Sequence, residues 1–199
     1  NCSIHPVHGG SVLSRPVRGN DLLLHCRYAG ATLDPPLQRM PAMRHLYSLL
    51  WYVLTPLLML RLLWRSRRLP AYRQRLAERF GLFPAPADVQ RPAIWVHAVS
   101  VGEVMAALPL LQRLLADYPD HRLIVTTTTP TGSARVRDLL GDRVFHVYLP
   151  WDLPGSVGRF LQGTRPALLL LLETELWPNL IHQARASGCR VLLVTARLS

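Results

Sequence analysis

Ala93-Ile94-Trp95-Val96-His97-Ala98-Val99-Ser100-Val101-Gly102-Glu103 passes from an apolar, β-type run straight into a helical pattern. Residues 93–99 are apolar apart from His97. From Glu103 to Asp117 apolar side chains recur at three- and four-residue spacing, the mark of an amphipathic helix. A strand feeding directly into a helix is the first half of a βαβ unit.

The same alternation continues downstream. Strands are expected at Ala93–Val99, Arg122–Thr127, Val144–Leu149, Ala167–Leu172 and Val191–Thr195, with helices over Glu103–Asp117, Ser133–Leu140, Leu153–Leu161 and Trp177–Ser187. This order predicts an α/β fold with a doubly wound, Rossmann-like parallel sheet. The unbroken leucines from Leu168 to Leu172 suit a strand covered by helices on both faces. In such sheets ligands bind beyond the carboxyl ends of the strands.

Upstream, Pro84 to Pro92 form a proline-rich joint. Before it lies an uncharged run from Leu46 to Leu60, interrupted by Pro56 and continued by Arg61, Leu62, Leu63 and Trp64. A spanning helix needs ~20 apolar residues to cross ~30 Å of hydrocarbon, so a helix lying in the interface is as good an expectation as one that spans. Arg61, Arg65, Arg67, Arg68, Arg73, Arg75 and Arg79 follow, opposed in that stretch only by Glu78. Such a cluster is attracted by an anionic membrane surface and favours the cytoplasmic side. The charges follow the apolar run and no small-residue cleavage site is visible, which argues for a retained anchor rather than a signal peptide. Residues 1–42 show no sustained period and are expected to be a disordered, non-domain extension, with Met43 a candidate natural start. Residues 43–83 then form a membrane-associating unit, and 93–199 the Rossmann-like domain.

Composition narrows the function classes. The 199 residues suffice for one well-buried domain and an appendage. There are 23 basic residues, all arginine, against 12 acidic ones, a net charge of +11 that calls for an anionic partner. A nucleic-acid-binding module is the alternative from another class, but the arginines follow an apolar anchor and lack interleaved stacking aromatics. No nucleic-acid partner is expected. Cys2, Cys26 and Cys189 form no CxxC pair, so neither a disulfide framework nor a zinc site is indicated, and no metal is expected. The sequence has neither the GxGxxG fingerprint nor GxxxxGK[ST], and no cofactor is expected.

Polar residues gather at the expected carboxyl ends. Gly102 is placed to allow a tight turn, and Glu103 sits in the first helical turn. There it is either a carboxylate aimed into the ligand crevice or one stabilised by the helix dipole, worth ~0.3 to 1 kcal/mol. Thr126 to Ser133 offer hydroxyls and N–H groups as an anion or sugar cradle, although turn chemistry explains Pro130 and Gly132 equally well. Glu173-Thr174-Glu175-Leu176-Trp177-Pro178-Asn179 places two carboxylates, an indole and an amide at one sheet edge. Glu173 and Glu175 could equally cap the helix beginning near Pro178.

Val96–Glu103, Thr126–Ser133, Tyr148–Pro154, Glu173–Asn179 and Ala196–Ser199 occur in an order that resembles the amino-terminal half of 3-deoxy-D-manno-octulosonic acid (Kdo) transferases. The likeness includes the pattern from Arg67 through Ala71-Tyr72-Arg73 to Glu78-Arg79-Phe80-Gly81, and covers about Met43 to Ser199. It implies an inverting GT-B glycosyltransferase of lipopolysaccharide synthesis that moves Kdo from CMP-Kdo to a lipid A precursor, at the cytoplasmic face of the cell inner membrane. By the same likeness Glu103 is the general base and Glu173 or Glu175 a second functional acid. Ser100, Gly102, Thr129, Thr131, Gly132, Trp177, Asn179 and Arg197 are candidate substrate-binding residues, and Arg73, Arg75 and Arg79 candidates for acceptor phosphates. Thr195 stands where the family often has an asparagine. The family continues beyond the position of Ser199 into a donor-binding domain, so the chain is expected to be an acceptor-binding half, inactive alone. The alternative is a non-catalytic basic domain binding lipid or nucleic acid.

Overall fold

The computed structural model describes residues 41–172 and 177–194. The expected extension lies outside the described residues except at Pro41 and Ala42, which open the first helix. Thr195 and Arg197 also lie outside, as do Glu173 and Glu175.

Five parallel strands form one sheet: β1 (Ala93–His97), β2 (Arg122–Thr127), β3 (Phe145–Tyr148), β4 (Pro166–Leu172) and β5 (Arg190–Val194), in the order β3-β2-β1-β4-β5. The helices are α1 (Pro41–Arg65), α2 (Val101–Asp117), α3 (Pro130–Leu140), α4 (Pro154–Thr164) and α5 (Pro178–Ala186). All strands and downstream helices expected from periodicity are present, with ends moved by a few residues. α3 starts three residues early, at Pro130, because Thr129 caps it and proline fits the first helical position.

Alternation along β1 divides the core. Ala93 and Trp95 face a layer with Val157, Phe160, Leu180 and Ile181 of α4 and α5, whereas Ile94 and Val96 face Val104, Leu111 and Val136 of α2 and α3. Both faces are therefore covered, which explains the leucine run of β4. Trp95 is fully buried, its ring centroid 4.5 Å from that of Phe160, and its Nε1 donates to Thr126 Oγ1 at 2.8 Å. The chain builds β1, β2 and β3 in one direction and returns to the other side of β1 for β4 and β5. The β1/β4 boundary is thus the switch point where α/β sheets open a crevice.

The upstream segment has two parts. α1 runs 25 residues through Pro56, longer than its uncharged core suggested, because neighbouring turns hold the helix although proline cannot donate to the Tyr52 carbonyl. It is long and apolar enough to cross a membrane and is mostly uncovered, with Leu46 68% and Leu60 63% exposed. Residues 75–83, in contrast, are built into the sheet. Arg75 donates from Nη1 to Ser133 Oγ (3.0 Å) and from Nη2 to the His146 carbonyl (2.8 Å), and pairs through Nε with Glu78 (2.5 Å). Glu78 accepts the Tyr148 N–H at 2.8 Å, and Arg79 donates to the Thr128 carbonyl at 2.8 Å. Arg75 is thus tied inside the protein, while Arg73 is exposed.

Gly81 closes this segment with φ +72°, and a Cβ there would lie 2.3 Å from the Ser156 carbonyl oxygen. Gly81→Ala therefore combines a left-handed backbone with a backbone overlap. It should cost about 2–4 kcal/mol, read as a lower urea midpoint. An unchanged midpoint would mean that residues 75–83 are not held as described.

Candidate functional site at the carboxyl edge of the sheet

The loops after β1 and β2 are stitched together. Ala98 N–H donates to the Thr126 carbonyl (3.0 Å), and both the N–H and the hydroxyl of Thr128 donate to the Val99 carbonyl (3.1 Å each). Ser100 is the N-cap of α2, with extended backbone, and Glu103 stands three residues on. Glu103 Oε2 accepts the Val99 N–H at 2.7 Å and Oε1 accepts the Ser100 hydroxyl at 3.2 Å. This is a variant of the capping box, the carboxylate reaching back to the backbone just before the helix. The half-buried carboxylate is held at the crevice, and a carboxylate has about four lone-pair sites, so two bonds leave it capacity for a ligand. Of the two sequence readings of Glu103, this geometry displays the helix-start carboxylate.

The glycines divide. Gly102 was expected to permit a tight turn, but it is helical and exposed, has no positive φ, and an added Cβ would meet only Ser100 Oγ at 3.8 Å. What it provides is open surface beside Glu103. Gly132 is the one that close packing demands: a Cβ there would approach Thr129 Oγ1 to 3.0 Å and the Ser100 carbonyl carbon to 3.5 Å. Thr129 is the N-cap of α3, accepting the Gly132 N–H at 3.1 Å, while Thr131 is exposed. The hydroxyl of Thr129 is thus engaged within its own helix start, and Thr131 is the outward-facing one.

Trp177 sits at the N-cap position of α5, half-buried, 6.0 Å from the ring of Trp51. Asn179 is 2% exposed and turned inward, its Nδ2 donating to the Asp152 carbonyl (2.7 Å) and to Ser48 Oγ (3.1 Å). Its amide is occupied within the protein, which separates it from the crevice residues. The indole of Trp177 cannot cap a helix. Asp152 does so instead, accepting the N–H groups of Asn179 (Oδ2, 3.0 Å) and Leu180 (Oδ1, 2.8 Å), together with the Tyr47 hydroxyl (2.9 Å). Arg44 and His182 add a further contact between α1 and α5. The motif Tyr148–Pro154 is visible in the sequence but gives Asp152 no role, because the helix it caps starts far along the chain.

Burial raises the Asp152 carboxyl to about 6, even though its three hydrogen bonds favour ionisation. The folded value exceeds the unfolded one, 3.8, so between them the folded state binds more protons and stability falls as pH rises. The shift corresponds to roughly 3 kcal/mol. The stability of the wild type relative to Asp152→Asn, which cannot titrate there, should therefore increase by about 2–2.5 kcal/mol from pH 7 to pH 4 in urea melts, the remainder appearing below the unfolded value. A constant difference would contradict the assignment. His97 and His146 are pushed down to about 4, chiefly by burial, and are neutral at pH 7.

β4 lies beside β1 with Leu171 opposite His97, so β4 ends at Leu172 level with the start of the loop that leads to Ser100. Glu173 and Glu175, which follow in sequence, lie outside the described residues. Residues 74–199 match the family model for 3-deoxy-D-manno-octulosonic-acid transferase, well over half of the chain. This chain belongs to the Kdo transferase family.

Among its curated relatives is the 3-deoxy-D-manno-octulosonic acid transferase of Haemophilus influenzae, 46% identical over 156 residues, covering 78% of this chain and 36% of the relative. The enzyme of the same name from Bordetella pertussis is 41% identical over 165 residues, 78% of this chain and 38% of the relative. A probable mitochondrial one from Arabidopsis thaliana is 37% identical over 156 residues, 77% of this chain and 34% of the relative. The chain thus spans little more than a third of the length of these Kdo transferases.

Proposed function

We propose that this chain is the acceptor-side half of an inverting GT-B transferase that moves Kdo from CMP-Kdo onto a lipid A precursor in lipopolysaccharide synthesis. The donor is held mainly by the part of the relatives that this chain does not span. The observation that carries the reading is Glu103, fixed by Val99 and Ser100 at the switch-point crevice of a family-matching segment. The acceptor hydroxyl attacks the anomeric carbon of Kdo as the bond from that carbon to the CMP phosphate oxygen breaks. The hydroxyl proton passes to the Glu103 carboxylate, CMP leaves with the electron pair, and attack from the opposite side inverts the centre.

A positioned carboxylate contributes ~10²- to 10⁴-fold by this transfer. The helix amino terminus and the two hydrogen bonds favour its ionised form and so weaken it as a base. Position therefore contributes more than basicity. Glu173 or Glu175 supplies the second acid, and Ser100, Gly102, Thr131 and Trp177 border the acceptor, with Arg197 a further binding residue. α1 seats the protein at the cytoplasmic face of the inner membrane, its exposed leucines in lipid and its arginines at the anionic surface.

The test is a full-length polypeptide carrying this segment, incubated with CMP-Kdo and a lipid A precursor. Mass spectrometry of the lipid should show addition of Kdo. A full-length, folded protein that transfers no Kdo to the lipid would overturn the reading.

A further inference from the structure

α1 has two opposite faces. Leu46, Leu50, Val53, Leu57, Leu60 and Trp64 recur every three or four residues, and each is 53–68% exposed. About half a turn away from that stripe, Ser48 and Ser66 are buried and Arg44, Trp51, Thr55 and Leu62 are half-covered.

The covered face is docked on the domain at both ends of the helix. Near its start Tyr47 donates to Asp152 (2.9 Å), Ser48 to Asn179 Oδ1 (3.2 Å), Arg44 meets His182, and Trp51 lies 6.0 Å from Trp177. Near its end Leu58 and Leu62 line a cavity of about 110 Å³ with Arg79, Thr128 and Trp151, and the Arg65 guanidinium stands 4.8 Å from the Tyr72 ring centroid. Arg44 and Arg65 are ~32 Å apart along the helix at 1.5 Å per residue. The loops at the carboxyl edge of the sheet therefore accompany α1 along its length.

A spanning helix has hydrocarbon around it for ~30 Å. Crossing with these contacts intact would carry Asp152, Arg79 and the loops after β2 and β3 to bilayer depth, where charged groups and loop backbone are excluded. Crossing without them would strip Asp152 and Asn179 of Tyr47 and Ser48. Lying flat satisfies both faces at once, the apolar stripe in the acyl layer and the docked face toward the domain. Charge identifies the occupant of the stripe. α1 holds no acidic residue, Arg61 and Arg65 flank the end of the stripe, and Arg67 and Arg68 follow. These arginines, in a chain of net charge +11, attract an anionic bilayer and repel a second copy.

We propose that α1 is an in-plane anchor, lying in the interface of an anionic bilayer with both ends on the same side and holding the carboxyl edge of the sheet against the membrane surface. The inference rests on the membrane seating proposed above and not on Kdo transfer.

The test uses the full chain with Cys2 and Cys26 replaced by serine, which leaves only the buried Cys189. His45→Cys and Gln74→Cys place single thiols at exposed positions before and after the apolar stripe. A maleimide that does not cross membranes is applied to spheroplasts and to inverted inner-membrane vesicles. Both thiols should be labelled in inverted vesicles, and labelling of both should be lost in spheroplasts. His45→Cys labelled only in spheroplasts, with Gln74→Cys labelled only in inverted vesicles, would mean a spanning helix and overturn the inference while the membrane seating stands. Recovery of the chain in the soluble fraction would overturn the seating itself, and the inference with it. Depth is read separately, from nitroxide labels at L46C, V53C and L60C on the purified chain in phosphatidylglycerol vesicles. All three should lie at one depth, ~5–10 Å into the headgroup–acyl boundary. A label at position 53 near the midplane, ~15 Å deep, with the other two shallower, would overturn the flat seating. Spin–spin broadening between copies at V53C would assign the stripe to a second chain and overturn it as well.

Discussion

Glu103→Gln in a full-length transferase carrying this segment is expected to lower kcat for Kdo transfer by about 10²- to 10⁴-fold while leaving the fold intact. The amide oxygen of glutamine can still accept the Val99 N–H that Glu103 Oε2 holds at 2.7 Å, so the first turn of α2 keeps its cap. The amide nitrogen has no lone pair for the Ser100 hydroxyl, but that hydroxyl is free to rotate to solvent. The stability cost should therefore stay near or below about 1 kcal/mol, the size of a cap interaction. The proposed catalysis, by contrast, loses the carboxylate assigned to take the acceptor proton. Glu103→Ala should lose the cap as well, with a similar drop in turnover and a larger fall in melting temperature. Turnover of the glutamine variant close to wild type would remove Glu103 as the base and leave it a helix cap.

The largest effect on stability is expected at Asp152. Asp152→Ala leaves the N–H groups of Asn179 and Leu180 without an acceptor at a buried helix start, and frees the Tyr47 hydroxyl that ties α1 to the loop between β3 and α4. An unsatisfied buried donor costs about 1–3 kcal/mol, so a total near 3–5 kcal/mol is expected at neutral pH. The joint also includes Asn179 and Ser48, and truncations there should be strongly non-additive with Asp152→Ala, because all three residues share one network. Protease sensitivity between α1 and β1 should rise together with the fall in the urea midpoint. A loss below about 1 kcal/mol would mean that water replaces the carboxylate and that the joint contributes little.

Asp152 also marks the limit of what could be read from the chain alone. The motif around it was visible, but its purpose was not, because Tyr47, Asn179 and Leu180 come from a helix far upstream and another downstream. The arginines behave likewise. Arg61 through Arg79 read as one basic cluster, yet Arg75 is tied to the sheet while Arg61 and Arg65 border a cavity with Arg79. Asn179 and Trp177 share a motif with Glu173 and Glu175, but the fold turns Asn179 inward to Ser48 and Asp152. Glu103 was legible as a first-turn carboxylate because cap position is a local property.

Local period and composition, which the chain carries without help from distant residues, determined the parallel α/β class, the succession of elements, the apolar helix and the gathering of polar motifs at the strands' carboxyl ends. Only the tertiary structure decided the strand order β3-β2-β1-β4-β5 and the crevice at β1/β4, since the same βαβ units can be laid on either side of the first strand. It also decided which polar groups point inward. Burying such a group requires a partner, and for Asp152, Asn179, Arg75 and Arg79 that partner is brought by another element, so no reading of neighbouring residues could supply it.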